Sequence, residues 1–375
     1  MQPLQMVDLK RQYQKIKAEV DTAILNVIEN AAFIGGPDVN HFAQELSQYL
    51  GVKHVIPCAN GTDALQIALM ALDLKPGDEV ITPSFTYIAT VEVVALLGIT
   101  PVFVDVDPDT FTMNMDSVRK AITAKTKAIM PVHLYGQAVN MEPLLAIAKE
   151  HNLHVIEDNA QAIGSTYTFS NGTTCKTGSM GIIGCTSFFP SKNLGGYGDG
   201  GAMFTNDDAL AHKMKMIANH GQEKRYYHEL VGCNSRLDTI QAAVLRIKLR
   251  KLDEYCYSRR QAADYYDKAF KNHPKITTPY RAPYSYHVFH QYTMQIEGFD
   301  RDLLQQKLAE RNIPSMLYYP VPCHKQNMLM NIGAGNFDLP VTDALQTKVI
   351  SLPMHTELTE EELEYITRNV IEILG

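Results

Sequence analysis

No uninterrupted apolar run of about 18 residues occurs in the sequence, so no segment is expected to cross a membrane as a helix. The opening stretch, residues 1–17, has no apolar core and carries Asp8, Lys10, Arg11 and Lys15, which is not the composition of a secretory signal. Positive charge is not in excess: 34 lysines and arginines face 41 acidic residues, for a formal charge of −7 and a pI near 6.0. A nucleic-acid partner, whose sequence-independent affinity comes from clustered Lys and Arg, is therefore not expected, and only a local basic pocket for one small anion stays open. Cysteine is sparse. Cys58, Cys175, Cys185, Cys233, Cys256 and Cys323 are scattered without a C-x-x-C pair, which predicts reduced, buried thiols in a cytoplasmic protein. No histidine–carboxylate spacing marks a metal site.

What is present is a globular composition, 45% apolar and 20% charged over 375 residues. That length implies two domains, or one large α/β unit with a smaller one appended. From about residue 52, short apolar runs alternate with amphipathic stretches. Strands are expected at 54–57, 79–82, 101–104, 128–132 and 154–157, with helices at 62–72, 87–97 and 143–151 between them. This β-α-β-α rhythm predicts a mostly parallel, doubly wound sheet. Two more strands, 185–189 and 201–205, flank a glycine-rich turn. The pattern changes near residue 250. A long charged helix over 237–267 reads as a bridge to a small α+β domain with strands at 291–296 and 315–319 and helices at 301–311 and 359–373. Thr359 and Glu362 have capping-box spacing at the start of the last helix. The expected division is 1–250, including an N-terminal helix over 13–29 that belongs to neither core sheet, and 251–375.

Ligands of an open parallel sheet bind beyond the carboxyl ends of its strands. Four polar clusters follow such ends here: Asn60-Gly61-Thr62-Asp63, Ser84-Phe85-Thr86-Tyr87, Asp158-Asn159-Ala160-Gln161 and Pro190-Ser191-Lys192-Asn193. Taken singly, each is ordinary. Gly61-Thr62 is a common helix start, Asp158 a plausible turn residue, Lys192 a plausible solvated lysine, and His133 and His154 plausible structural histidines. The glycines of Gly196-x-Gly198-x-Gly200 are a weak dinucleotide fingerprint, because a strand follows them instead of a helix. Jointly the clusters match what pyridoxal 5′-phosphate requires. That cofactor needs a lysine for its aldehyde, a carboxylate for its ring nitrogen, a helix N-terminus for its phosphate and a flat side chain over its ring. Lys192, Asp158, Gly61-Thr62 and Tyr87 supply these parts in that order.

The residues carrying a wider resemblance are Ala59–Leu65, Gly77–Pro83, Glu157–Gln161, Ser187–Asn193, Gly198–Gly201 and Asn234–Asp238. With them the chain resembles the DegT/DnrJ/StrS sugar-nucleotide aminotransferases over nearly its whole length. The resemblance implies the fold-type-I, aspartate aminotransferase-like architecture: a large domain on a mostly parallel, seven-stranded sheet, and a small α+β domain. It also implies that Lys192 forms the Schiff base, Asp158 pairs with the ring nitrogen, Gln161 meets the ring hydroxyl and Tyr87 stacks on the ring. Gly61, Thr62, Asp63 and Ser187 would hold the phosphate, with Asn234 reaching it from the other subunit of a homodimer with shared active sites.

Within the family, Cys58–Gln66, Leu134–Gln137, Cys185–Lys192 and Asn234–Thr239 look like the aminotransferases that act on UDP-2-acetamido-2-deoxy-3-oxo-glucuronate. Tyr318-Tyr319 departs from the His-Tyr expected before Pro320, where substrate should enter. The resemblance implies amino transfer from L-glutamate, with Lys192 as general base, for surface polysaccharide precursors. Arg236, beside Asn234 and just before a helix, is the best-placed anchor for a substrate carboxylate. Lys325 and the run His220–Arg225 are further candidates for the anionic substrate. The rival readings are a 3-keto or 4-keto dTDP- or UDP-6-deoxyhexose aminotransferase, a dehydratase using the same cofactor, and a regulatory homologue without turnover.

Overall fold

The structure is a computed structural model and describes residues 3–375. Its centre is a seven-stranded sheet of β1 (His54–Cys58), β2 (Glu79–Pro83), β3 (Thr100–Val104), β4 (Thr126–Ile129), β5 (His154–Asp158), β6 (Ile183–Ser187) and β7 (Gly201–Thr205), in the spatial order β1-β7-β6-β5-β4-β2-β3. β7 runs antiparallel to both neighbours, β1 and β6, and the other pairings are parallel. In register, Ile81 of β2 lies between Val102 of β3 and Ile129 of β4. The strands read as near-continuous apolar runs because helices cover both faces of the sheet. Ala64, Ala68, Val93 and Met214 pack on one face with Ile56, Met130 and Ile156, while Leu144, Ile147 and Val118 close the other over Ile81 and Ile129.

A second, antiparallel sheet holds Tyr292–Ile296 between Ile276–Thr277 and Val349–Leu352. Helices Leu252–Phe270, Arg301–Glu310 and Glu360–Leu374 bury Tyr266, Phe270, Leu304, Leu308, Ile366 and Val370 against it. The expected capping box is present. Thr359 Oγ1 accepts the Glu362 N–H at 3.2 Å and Glu362 Oε2 accepts the Thr359 N–H at 2.9 Å, a pairing that stabilises a helix by about 1 kcal/mol.

Three expectations are corrected. The long helix over 237–267 is two helices, Thr239–Leu249 and Leu252–Phe270. The Lys251 N–H closes a tight turn on Lys248 O at 3.0 Å, and this redirects the chain so that Leu252 enters the core beside Phe42 and Leu46. No strand forms over 315–319. Only Met316 bridges to Ser351 there, and the segment instead carries its two tyrosines to the cleft described below. Four cysteines are buried, but Cys175 and Cys233 are half-buried; all six are free. The N-terminal helix, Leu9–Glu29, packs Ile16 and Val20 on Val244 and Ile247 of helix Thr239–Leu249, away from both sheets. Among the described residues no helix is long and apolar enough to cross a membrane.

Candidate active site

The turns at the carboxyl ends of β1, β2, β5 and β6 converge on one cleft of about 800 Å³. Ten of the sequence-predicted residues line it: Gly61, Thr62 and Asp63 after β1, Tyr87 after β2, Asp158 and Gln161 after β5, Ser187 and Lys192 after β6, and Tyr318 and Tyr319 from the C-terminal part of the chain.

Asp158 ends β5 and is buried. Its Oδ2 accepts the hydroxyl of Thr90 at 2.8 Å and its Oδ1 accepts the Ala160 N–H at 3.1 Å. Burial raises its pKa, and the Ala160 and Thr90 hydrogen bonds and the charge of Lys192 oppose that rise. Lys192 responds in the opposite sense. Enclosure of its amine lowers the pKa from 10.5 to about 8, against the pull of Asp158. An acid and a base in one cleft, shifted by desolvation and coupled by charge, are the expected marks of a reacting pair.

The phosphate-sized corner is built by close approach. Asn60 caps helix Gly61–Ala71 by accepting the Asp63 N–H at 2.8 Å, which leaves the first backbone N–H groups of the helix to face the cleft. A Cβ on Gly61 would lie 2.7 Å from the Ser187 Cβ, so only glycine lets the helix start meet that hydroxyl-bearing residue. Gln161 is partly committed. Its Oε1 accepts the Tyr135 N–H at 2.8 Å and its Nε2 donates to the Tyr319 hydroxyl at 2.9 Å. Tyr87 is 56% exposed at the mouth, its ring centre 6.1 Å from that of Tyr319. An amine, a buried carboxylate, an anion-binding helix start and an aromatic wall together fit pyridoxal 5′-phosphate.

The other predicted residues, Asn234, Arg236, Lys325 and the run His220–Arg225, do not line the cleft. Asn234 and Arg236 are exposed on the segment before helix Thr239–Leu249, and Lys325 is paired with Asp343 at 2.6 Å. The sequence reading missed Thr90, Phe189, Asp199, His290 and Gln291, all in the cleft. Thr90 was findable as the hydroxyl in the otherwise apolar start of helix Ala89–Leu96. Asp199 was hidden in the glycine run. His290, whose buried Nδ1 has no partner among the described residues, had no signal beyond its place before a strand. Of the histidines read as structural, His133 is fully buried, its Nδ1 accepting the Val139 N–H at 3.0 Å and its Nε2 donating to Glu157 at 2.8 Å, whereas His154 is exposed.

A lysine and a buried carboxylate at the carboxyl edge of a seven-stranded sheet with one reversed strand define a pyridoxal-phosphate-dependent transferase of fold type I. The chain belongs to the DegT/DnrJ/EryC1/StrS aminotransferase family, whose sequence model matches residues 14–371. It is 45% identical, over 97% of its length and 98% of the relative, to the UDP-2-acetamido-2-deoxy-3-oxo-D-glucuronate aminotransferase of Pseudomonas aeruginosa. It is also 45% identical, over 98% of its length and 97% of the relative, to the pleiotropic regulatory protein of Geobacillus stearothermophilus. The crystal structure of S. venezuelae DesV in complex with a ketimine intermediate superposes with a TM-score of 0.94 at 38% identity, covering 100% of this chain and 99% of that one.

Proposed function

We propose that this aminotransferase moves the amino group of L-glutamate to carbon 3 of a UDP-linked 3-oxo sugar, UDP-2-acetamido-2-deoxy-3-oxo-glucuronate first among them, for surface polysaccharide precursors. One observation carries the reading: Lys192 and Asp158 share a cleft in a chain 45% identical throughout to an aminotransferase of that name. The working unit is a cytoplasmic homodimer with shared active sites, each chain divided into a cofactor-binding domain, 1–250, and a small domain, 251–375.

When bound, pyridoxal 5′-phosphate supplies an electron sink for the charge left as a proton departs from the donor's Cα. Lys192 Nζ takes that proton and returns one at the sugar carbon; its pKa of about 8 leaves a useful unprotonated fraction near neutral pH. Asp158 holds the proton on the ring nitrogen through a charge-assisted hydrogen bond. The N–H groups of Gly61 and Thr62 and the Ser187 hydroxyl bind the phosphate, while the Asp63 N–H, predicted to join them, is taken by the Asn60 cap. Tyr87 covers the ring face and Gln161 meets the ring hydroxyl. Asn234 serves the phosphate in the opposing subunit's cleft. Arg236, Tyr318, Tyr319 and Lys325 receive the sugar nucleotide.

Mass spectrometry of the purified protein with glutamate and UDP-3-oxo sugars, with and without the uronate, tests this. A 3-amino uronate product with matching 2-oxoglutarate is expected. Preference for a sugar lacking the carboxylate overturns the substrate while leaving the class intact. The regulatory relative from G. stearothermophilus favours a second reading, a fold retained without turnover. Absence of 2-oxoglutarate with every keto sugar supports that one.

A further inference from the structure

The run Gly195-Gly196-Tyr197-Gly198-Asp199-Gly200-Gly201 begins three residues after Lys192 and leads into β7. Its glycines start no helix and so cradle no dinucleotide. At Gly196 and Gly198 their role is close approach to helix Thr239–Leu249. A Cβ on Gly196 would lie 2.8 Å from Gln241 Oε1, and a Cβ on Gly198 would lie 2.9 Å from Gln241 Nε2. With no side chains in the way, Gln241 Oε1 accepts the Tyr197 N–H at 2.7 Å.

Seven residues along, and therefore on the same helix face, Lys248 is 1% exposed. Its Nζ donates to Gly195 O at 2.8 Å and lies 4.8 Å from the centre of the Tyr197 ring. No carboxylate pairs with it among the described residues. An ammonium buried without a counter-ion is unfavourable where an apolar side chain of the same length would fill the space. Its one hydrogen bond is to the lysine loop. Burial alone lowers its pKa to about 8, so it reaches that carbonyl partly as a neutral amine, which still donates. From the other side, the Gly196 N–H donates to Phe188 O at 2.7 Å and the Lys192 N–H to Phe189 O at 2.8 Å.

We propose that Gln241 and Lys248 are positioning residues: one helix grips the glycine loop at Gly195 and Tyr197, and thereby fixes where the Lys192 amine stands in the cleft. Neither residue lines the cleft, so neither is catalytic. The functional consequence rests on the reading of Lys192 as the reacting amine; the mechanical claim does not.

Hydrogen exchange of the cofactor-loaded protein tests it. In Lys248→Met and Gln241→Leu, the amides of Gly196 and Tyr197 are expected to exchange at least about tenfold faster, while those of helix Thr239–Leu249 stay within about twofold of the parent. The kcat is expected to fall at least about tenfold with the KM for glutamate within about threefold, the signature of a misplaced group and not of lost binding. Gln241→Glu keeps the acceptor for the Tyr197 N–H and should restore both protection and kcat to within about threefold of the parent. Unchanged loop protection in both disruptive variants, or equal loss of protection along the helix, overturns the proposal. Should Lys248→Met fail to fold, the Gln241 pair decides alone. Exchange is read without turnover, so a wrong substrate or reaction in the preceding section leaves this result intact.

Discussion

Thr90 Oγ1 donates to Asp158 Oδ2 at 2.8 Å, joining the first turn of helix Ala89–Leu96 to the end of β5, 68 residues away in sequence. With the Ala160 N–H on the other oxygen at 3.1 Å, this fixes the plane of a carboxylate that burial would otherwise push toward its protonated form. The pair is a small device for keeping one buried acid ionised and aimed.

Loss of the carboxylate should separate chemistry from stability. Asp158→Asn is expected to lower kcat by about 100- to 1000-fold, the usual effect of removing preorganised charge. Stability of the cofactor-free protein should move differently. A carboxyl group whose folded pKa is raised contributes stability that is full at low pH and is lost as pH rises through that pKa. Asn cannot titrate, so the fall in melting temperature as pH rises from about 4, near the ordinary carboxyl pKa of 3.8, should be smaller in the variant than in the parent. Thr90→Val should act in the same direction on activity but more weakly, by about tenfold, with the acid limb of the pH–rate profile displaced to higher pH. An unmoved acid limb in Thr90→Val would show that this hydrogen bond does not tune Asp158.

The Lys192 amine is reactive only when unprotonated. With its pKa lowered to about 8, the cofactor-free protein should capture pyridoxal 5′-phosphate at a rate that rises with pH and levels off above about 8, well short of the ordinary 10.5. Stopped-flow absorbance gives the rate at each pH, and borohydride followed by peptide mapping gives the residue. A midpoint near 10.5 would mean that the amine is solvated and the cleft open around it. Lys192→Ala should still hold the cofactor but, after borohydride and denaturation, release it as the free alcohol with none left covalently on the chain.

At Gly61 the prediction concerns shape. Gly61→Ala drives a Cβ to 2.7 Å from that of Ser187 and to 3.2 Å from its Cα, so helix start and strand end must part. Overpacking of this kind costs about 1–3 kcal/mol. Affinity for the cofactor should fall about 10- to 100-fold, because the helix N–H groups and the hydroxyl no longer converge. A second change, Ser187→Gly, removes the 2.7 Å contact and leaves only the milder 3.2 Å one to the Cα. In the double variant the melting temperature should recover while cofactor affinity does not. Recovery of both would show that the hydroxyl takes no part in holding the phosphate.

The sheet and most of the cleft were legible because they rest on local signals. Strands buried on both faces are apolar runs, and the polar clusters after them mark the binding edge, so Asn60–Asp63, Asp158–Gln161 and Lys192 could be read in order. The break at Arg250 was not legible: its sequence carries neither Gly nor Pro, and the turn exists because Leu252 finds a place in a tertiary core. Residues 315–319 alternate plausibly enough for a strand, but the aromatic pair Tyr318-Tyr319 is drawn instead toward Phe85 and Tyr135 beside the cleft. The glycine run was visible and its reason was not, since Gln241 and Lys248 lie more than 40 residues further along the chain. Asn234 rests on resemblance, Arg236 and Lys325 on their charge and place in the chain, and no local pattern says where an exposed side chain will act.

Glu157 and Asp158 are neighbours in sequence with opposite fates, and the contrast is open to test. Alternation along β5 turns Glu157 away from the cleft. Its Oε1 accepts the N–H groups of Met180 at 2.6 Å and Gly181 at 2.5 Å, and its Oε2 accepts the Gly178 N–H and His133 Nε2, each at 2.8 Å. The side chains of both Glu157 and His133 are fully buried. Four donors on one carboxylate leave no acceptor to spare. In Glu157→Gln the new NH₂ group must face two N–H donors, whichever way the amide turns. Removing one side of such a buried charge network costs about 3–5 kcal/mol, which at this chain length should lower the melting temperature by about 4–6 °C. Because the group lies behind the strand, the kcat of the folded variant at low temperature should stay within about threefold of the parent. Equal stability, or a hundredfold loss of turnover without loss of stability, would put Glu157 in the chemistry and take away the distinction drawn between the two carboxylates.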